Sequence, residues 1–177
     1  MIFQNPQIDI DLLPKVESVE MISPARNYLK VILLSTSSFL LFLLAGLGVA
    51  YFIATETPFP YFFHFLIGLW ISIAMLSLLY SWRSYHNQAY ALREKDIIYK
   101  KGVLTQSLTT IPFNRVQHCE ITQGPIERYF DLKTLQVFTA GGQSSDLEVP
   151  GLSGEKAQEL KEFIIKTSTQ DGRNEEE

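Results

Sequence analysis

Two long apolar runs dominate the first half of the chain. Residues 31–53 form 23 successive positions without a charged side chain, and residues 62–82 form a second uncharged run. At about 1.5 Å of rise per residue, the first run makes a helix of about 34 Å, enough to cross a hydrocarbon core of about 30 Å. Both runs therefore predict transmembrane helices. The alternative, a pair of buried helices in a soluble protein, rarely contains uncharged runs of this length.

The connection between the two runs, residues 54–61, is too short to hold a domain, so the helices are expected to form an antiparallel hairpin. Arg26 and Lys30 precede the first helix and Arg83 follows the second, whereas the connection contains no Lys or Arg. Under the positive-inside rule, this distribution predicts a protein of the cytoplasmic (inner) membrane with both termini in the cytosol and an external connection. The single cysteine, Cys119, fits a reducing compartment.

Short alternating stretches of polar and apolar residues characterise the second half of the chain. Residues 84–167 are predicted to form one mainly-β domain, with residues 1–30 as a cytoplasmic lead-in and residues 168–177 as a disordered acidic tail. The expected strands are residues 88–93, 97–101, 103–111, 116–122, 134–139 and 147–149. Strands so closely spaced favour a meander that rolls into a small barrel or sandwich.

Two helices are expected to interrupt these strands. Pro125 suits the first position of a short helix over residues 126–130, and Ser153 is a suitable N-cap for a longer one. The second helix carries one apolar stripe at helical spacing, formed by Leu152, Ala157, Leu160, Phe163 and Ile164. This helix is expected to close an open end of the sheet.

A set of motifs occurs in order along the second half of the chain. The motifs are Tyr90-Ala-Leu-Arg, Ile97-Ile-Tyr-Lys-Lys-Gly-Val-Leu, Ile111-Pro-Phe-Asn-Arg-Val-Gln-His, Gln123-Gly-Pro-Ile-Glu-Arg-Tyr-Phe-Asp-Leu and Val137-Phe-Thr-Ala-Gly-Gly, followed by Pro150-Gly-Leu and a helix. This ordered set resembles the bacterial pleckstrin-homology-like (PH-like) domain of the second type, in the group of small YdbS-like membrane proteins. The resemblance implies a transmembrane α-hairpin followed by a mainly-β PH-like split barrel, which a C-terminal helix caps.

Four basic residues around the first predicted hairpin are candidates for contact with lipid head groups: Arg93, Lys95, Lys100 and Lys101. The resemblance directs attention to them, because eukaryotic PH domains hold phosphoinositides with basic residues near this hairpin. Glu94 and Asp96 interleave the set, which does not match the inositol-phosphate pattern. Lysines close to an anionic leaflet contribute about 1 kcal/mol each to membrane attraction. The alternative is an ordinary solvated hairpin.

Six further residues belong to the matching motifs and are expected to have structural roles: Asn114, Arg115, Gln117, Gly124, Pro125 and Arg128. Asn114 is expected to form a local hydrogen bond within a turn. Arg115 could pair with Glu127 or Asp131 or cover the end of the barrel, and contact with a ligand is the alternative.

No catalytic residue, cofactor site or metal site is predicted. His118 and Glu120 share one strand face, but Cys119 points to the other, whereas zinc requires three or four converging ligands. Cys119 is expected in the core. Residues 140–145 are glycine-rich but lack the Lys-Ser/Thr ending of a phosphate-binding loop, so a hairpin turn is expected. His64 either reaches the membrane interface or serves as a proton or ligand group.

The predicted function is a non-enzymatic interaction or assembly module held at the membrane surface. The net charge of −4 argues against nucleic acid as a partner. Besides the lipid bilayer, the expected partner is a second copy of the chain or another PH-like membrane protein. Small residues in the two spans support such assembly, because they let helices approach closely. These residues are Ala45, Gly46, Gly48, Ala50, Gly68, Ser72 and Ala74. The alternative function is a sensor of anionic lipids or amphiphiles.

The predicted topology is testable by labelling and fusion. In Thr57→Cys, a membrane-impermeant maleimide should label the added thiol in intact cells, because the connection is external. A reporter fused after Ile165 should show cytosolic activity. Labelling of Thr57→Cys only after permeabilisation would overturn this orientation.

Overall fold

The computed structural model describes residues 19–53, 60–140 and 145–174, and begins with two long helices, α1 (Arg26–Ile53) and α2 (Pro60–His86). Near one end of the pair, Thr36 Oγ1 lies 2.9 Å from Ser81 Oγ. Near the other end, the Tyr51 and Phe63 rings meet edge to face at 5.1 Å. The helices are therefore antiparallel, which confirms the α-hairpin. Both are long and apolar enough to span a membrane.

Each helix extends beyond the apolar run that predicted it. α1 begins at Arg26, within the predicted lead-in, and α2 continues past residue 82 to His86. Lipid requires apolar side chains only over its own thickness, so the helical backbone continues through polar residues at the membrane surface. Of the predicted connection 54–61, residues 54–59 lie outside the described residues.

Six strands follow in two antiparallel sheets of three, and within each sheet the strands pair in sequence order. The first sheet contains β1 (Ala89–Leu92), β2 (Asp96–Lys101) and β3 (Ser107–Pro112). After a 3₁₀ turn (Phe113–Arg115), the second contains β4 (Val116–Thr122), β5 (Leu132–Thr139) and β6 (Leu147–Ser153), with the short helix α3 (Pro125–Tyr129) between β4 and β5. The last helix is α4 (Gly154–Asn174). This arrangement confirms the split barrel.

The core lies between the two sheets and α4. Ala157, Leu160 and Ile164 are buried on the inner face of α4 and join Phe113 in one apolar cluster. Phe163, predicted on the same stripe, is partly exposed, although its ring packs edge to face against that of Phe113 at 5.9 Å. The predicted cap is present, because Ser153 Oγ accepts a hydrogen bond from the Lys156 N–H at 3.3 Å. α4 therefore caps the barrel as expected.

Two strands differ from the alternation-based prediction. β3 begins at Ser107 rather than residue 103, because the chain turns at Gly102, whose φ of +111° favours glycine. In β4, Val116 faces the core together with Cys119, because a bulge between Val116 and His118 shifts the alternation by one residue. Strict alternation from the predicted strand 116–122 puts Val116 on the face opposite Cys119, with His118 and Glu120, and this expectation is wrong because of the bulge.

The C-terminal helix also differs from the prediction. α4 continues to Asn174, so a disordered tail from residue 168 is wrong as far as that residue; residues 175–177 lie outside the described residues. The hydroxyl groups of Ser168 and Thr169 each donate to the carbonyl of Ile165 at 2.9 Å. Polar residues cost a helix less than about 1 kcal/mol each, so a polar composition does not by itself end a helix.

The segment before α1 docks on both sheets, a contact that the sequence analysis missed. Ile22 exchanges two backbone hydrogen bonds with Tyr90 of β1, at 2.7 and 2.9 Å, and the Ala25 N–H donates to the Gly151 carbonyl of β6 at 2.9 Å. The Tyr28 ring packs directly against Gly151, whose φ is +71°. We call residues 22–28 the docking segment; it joins the outer strands β1 and β6 to the first membrane helix.

Replacement of Gly151 by Ala should destabilise the folded protein. The left-handed backbone conformation at this position lowers the free energy of unfolding by about 1–2 kcal/mol for a residue with a Cβ. The new methyl group would also lie 2.6 Å from Tyr28 Cγ. This overpacking lowers the free energy of unfolding by about 1–3 kcal/mol more. The midpoint of thermal unfolding of the full chain in detergent measures the loss. Gly154→Ala is the matched control, because its Cβ would meet only ordinary contacts. Equal midpoints for the two variants would contradict the account.

Candidate functional site

The barrel touches both membrane helices, and a cleft lies at each contact. A cleft of about 340 Å³ separates the start of α1 from α3, with Tyr28, Thr36 and Glu127 in its walls. A second cleft of about 640 Å³ lies between the last turns of α2 and Val103 in the β2–β3 loop. α3 and the β2–β3 loop are therefore the membrane-proximal parts of the barrel.

α3 is held in place by the carboxylate of Glu127. Its Oε2 accepts a hydrogen bond from the Gly124 N–H at 2.8 Å, and its Oε1 accepts one from the Thr134 hydroxyl of β5 at 2.9 Å. Pro125 occupies the first turn of α3, as expected. The side chain of Arg128 is exposed. Gly124, Pro125 and Glu127 thus form a structural anchor, in which the sequence analysis missed the central role of Glu127.

The four candidate lipid-contacting residues do not converge. Arg93 and Lys95 lie at the β1–β2 turn, whereas Lys100 and Lys101 lie at the opposite end of β2, about 17 Å away at about 3.3 Å per residue. Arg93 donates from Nε to Asp96 Oδ1 at 2.6 Å, and this hydrogen bond raises the pKa of the guanidinium. Only Lys100 and Lys101 are on the membrane-proximal side, because β2 leads directly into the loop that contains Val103.

The remaining motif residues lie at the junction of the two sheets. Asn114 and Arg115 belong to the 3₁₀ turn, and their side chains, like that of Gln117, are exposed. The Arg115 carbonyl accepts a hydrogen bond from the Ala140 N–H at 3.3 Å. Among the described residues, the Arg115 guanidinium forms no ion pair with Glu127 or Asp131, the partners predicted for it. The contribution of Arg115 to the fold is therefore made by its backbone.

The His118-Cys119-Glu120 stretch divides between two faces, as predicted. His118 stacks on the Phe138 ring at 4.3 Å, and its Nε2 lies 3.7 Å from Glu120 Oε1 on the outer face. Cys119 is buried in the core, and burial raises the pKa of its thiol to about 11. Across residues 19–53, 60–140 and 145–174, no three His, Cys, Asp or Glu side chains converge as metal ligands would. The stretch is a core cysteine beside a surface pair.

β5 and β6, which flank the glycine-rich stretch, pair in antiparallel fashion. Residues 141–144 of that stretch, where a hairpin turn is predicted, lie outside the described residues. On its flanks, Asp146 Oδ2 accepts hydrogen bonds from the Thr139 hydroxyl at 2.6 Å and the Thr139 N–H at 2.9 Å. These bonds lower the pKa of Asp146. His64, which the sequence left open, is an exposed residue of α2 next to Phe63.

Cys119 should react very slowly with thiol reagents in the folded protein. A pKa of about 11 in place of the ordinary 9.0 reduces the thiolate fraction at pH 8 about 100-fold, and burial blocks access in addition. Mass spectrometry after treatment with N-ethylmaleimide measures the rate. The control is Glu159→Cys in a Cys119→Ala background, which presents an exposed thiol on α4. Equal rates for the two thiols would show that Cys119 is an accessible, reactive group.

Comparisons with known proteins agree with this architecture. A family model described as "Bacterial PH domain" matches residues 31–167. The chain is 31% identical over 75 residues to the UPF0699 transmembrane protein YdbS of Bacillus subtilis (strain 168), which covers 42% of this chain and 45% of YdbS. It is 26% identical over 108 residues to the UPF0699 transmembrane protein YdbT of the same organism, which covers 60% of this chain and 21% of YdbT. The matched regions thus span less than half of either relative.

Among solved structures, the chain is similar to a DUF1696 family protein with a pleckstrin-homology domain from Shewanella loihica PV-4, with a TM-score of 0.36 and 18% identity over 46% of this chain and 70% of that chain. The family model covers well over half of the 177 residues and includes both membrane helices as well as the barrel. Both curated relatives are described as transmembrane proteins. The chain is therefore a membrane protein with a PH-like domain, and it belongs to the bacterial PH domain family.

Proposed function

We propose that the chain is a non-enzymatic interaction and assembly module, anchored in the cytoplasmic membrane with its PH-like domain in the cytosol. Its partner is a second copy of the chain or another PH-like membrane protein. The orientation is supported by the positions of Arg26, Lys30 and Arg83, which lie at the ends of α1 and α2 that adjoin the barrel. Basic residues favour the cytoplasmic side.

The observation that carries this proposal is the open outer edge of β3. Among the described residues, β3 pairs only with β2, whereas β1 is paired on its outer side with Ile22. The Leu108 side chain of β3 is 48% exposed. An open edge with an exposed apolar side chain is the kind of surface to which a second chain adds a strand.

Glycines in the membrane helices provide a second surface for assembly. A Cβ added at Gly46, Gly48 or Gly68 would have no heavy atom within 4 Å, so these positions do not lie in the contact between α1 and α2. Their exposed backbone is open to a helix of another chain, and small residues allow such helices to approach closely. Assembly through the spans and assembly through β3 are compatible.

The second candidate function is a sensor of anionic lipids or amphiphiles. It is supported by Lys100 and Lys101, which lie at the end of β2 that leads into the loop beside α2. Arg93 and Lys95 do not support it, because they lie at the far end of β2. A sensor of this kind therefore depends on two lysines rather than on the four predicted.

A charge on the edge of β3 should weaken assembly. In Leu108→Lys, the lysine places a solvated charge where a second strand would pair, and the dissociation constant for self-association should rise at least about tenfold, the effect of about 1.4 kcal/mol. Fluorescence energy transfer between labelled copies in vesicles measures it. Gln158→Lys, on the exposed face of α4, is the control of equal charge change.

The double change Gly46→Leu with Gly68→Leu tests the membrane helices in the same assay. It leaves the α1–α2 contact intact, so a loss of energy transfer would assign assembly to the spans. Full association in both Leu108→Lys and the double glycine variant would contradict the proposed function.

Reversal of charge at the two membrane-proximal lysines tests the sensor. Lys100→Glu with Lys101→Glu should reduce recruitment of anionic amphiphiles to the reconstituted protein. Assembly should be unchanged, because Lys100 and Lys101 pair with Leu108 and Ser107 from the β2 side, whereas a second chain would pair with the outer edge of β3. Lys95→Glu with Lys156→Glu is the control, with the same charge change away from the membrane. Binding of a fluorescent anionic amphiphile, measured at low and high salt, separates the two variants. Equal binding by both would exclude the sensor.

A further inference from the structure

We propose that the PH-like domain itself enters the membrane surface at two points, Leu104 in the β2–β3 loop and Tyr129 in α3. The domain would then rest on the bilayer in one fixed orientation, in addition to being tethered by its helices. This inference goes beyond the proposed function and does not require a second chain.

The two points are the most exposed large apolar side chains outside the two long helices in the part of the chain that the structure describes. Leu104 is 92% exposed and Tyr129 is 83% exposed, whereas the next such side chain, Leu108, is 48% exposed. Side chains this apolar and this open are typical of surfaces that meet a partner or a membrane. Both belong to segments that adjoin the membrane helices.

The depth of these segments identifies the bilayer as the occupant. Next to Leu104 in the chain, Val103 lines a cleft with residues of α2 from Leu76 to Arg83. Most of that stretch lies within the second span, residues 62–82. Its first residue, Leu76, is six residues before residue 82, or about 9 Å deeper along the helix at about 1.5 Å per residue. The loop therefore adjoins the end of the second span, and the proposal puts the Leu104 side chain where the head groups meet the hydrocarbon.

α3 lies at the membrane surface beside the other helix. Gly124 and Glu127 share a cleft with α1 residues from Tyr28 to Thr36. Thr36 Oγ1 lies 2.9 Å from Ser81 Oγ, and Ser81 is the residue before the end of the second span, so the deepest part of this cleft lies at the level of the membrane surface. Because lipid surrounds both helices, a single occupant accounts for both exposed points, whereas a protein partner would have to reach each helix separately.

The chemistry of the two points suits the membrane interface. Leucine partitions into hydrocarbon, and tyrosine favours the head-group level, where its ring is buried and its hydroxyl stays hydrated. Each point lies close in the chain to one exposed basic residue, whose charge is complementary to that of lipid phosphates. Lys101 precedes Leu104 by three residues, and Arg128 directly precedes Tyr129. Within the described residues, neither cation forms an ion pair.

The test uses the full chain, one copy per nanodisc, with the lipids phosphatidylcholine and phosphatidylglycerol. In a Cys119→Ala background, Leu104→Cys and Tyr129→Cys each carry an environment-sensitive nitrobenzoxadiazole label, and Lys95→Cys at the far β1–β2 turn is the control. Doxyl-labelled lipid, with the nitroxide near the head group, should quench most emission from positions 104 and 129. Iodide in the buffer should quench position 95 and leave those two largely unaffected.

Three results would overturn the proposal. Strong quenching by iodide at 104 and 129 would place them in water. Protection from both quenchers would mean that protein covers them. Lipid quenching at only one of the two would reject the two-point contact. Because each disc holds one copy, failure here leaves the assembly proposal standing, and loss of assembly leaves this result unchanged.

Discussion

The architecture depends on the docking segment, residues 22–28, which joins the membrane helices to the barrel. Its backbone bonds to Tyr90 of β1 and to Gly151 of β6, and the Tyr28 ring lies against Gly151. The end of α2 adds a further link, since the Tyr85 hydroxyl donates to the Pro24 carbonyl at 3.3 Å. Because α1 begins within this segment, the barrel is held against the spans without a linker. Its orientation relative to the membrane follows from these bonds.

This tethering determines which surfaces are available for function. The docking segment bonds to the outer sides of β1 and β6, whereas β3 pairs only with β2 in the part of the chain that the structure describes. The same placement puts α3 and the β2–β3 loop next to the two long helices. The proposed assembly uses the edge of β3, and the proposed lipid contact uses Leu104 and Tyr129. The two proposals therefore use different surfaces and are compatible in one geometry.

Local patterns predicted most of the fold, and contacts distant in sequence account for what they missed. Uncharged runs identify α1 and α2, and an apolar stripe identifies α4, because each pattern repeats within its own element. The bond from Ala25 to Gly151 joins residues far apart in the chain and has no periodic signal. Strand alternation failed at Val116, where a bulge adds one residue. The four basic residues were predicted as one set because they are close in sequence. In the structure, the length of β2 separates the first two from the last two.

Distance measurement by pulsed electron paramagnetic resonance tests the central claim that the barrel is fixed to the membrane helices. Spin labels at Ser38→Cys in α1 and Glu159→Cys in α4, in a Cys119→Ala background, report the separation of the two parts in nanodiscs. The account predicts a single narrow distance distribution, because the docking segment permits only one placement. A broad distribution or several separate distances would contradict it, because the barrel would then move freely about the end of α1.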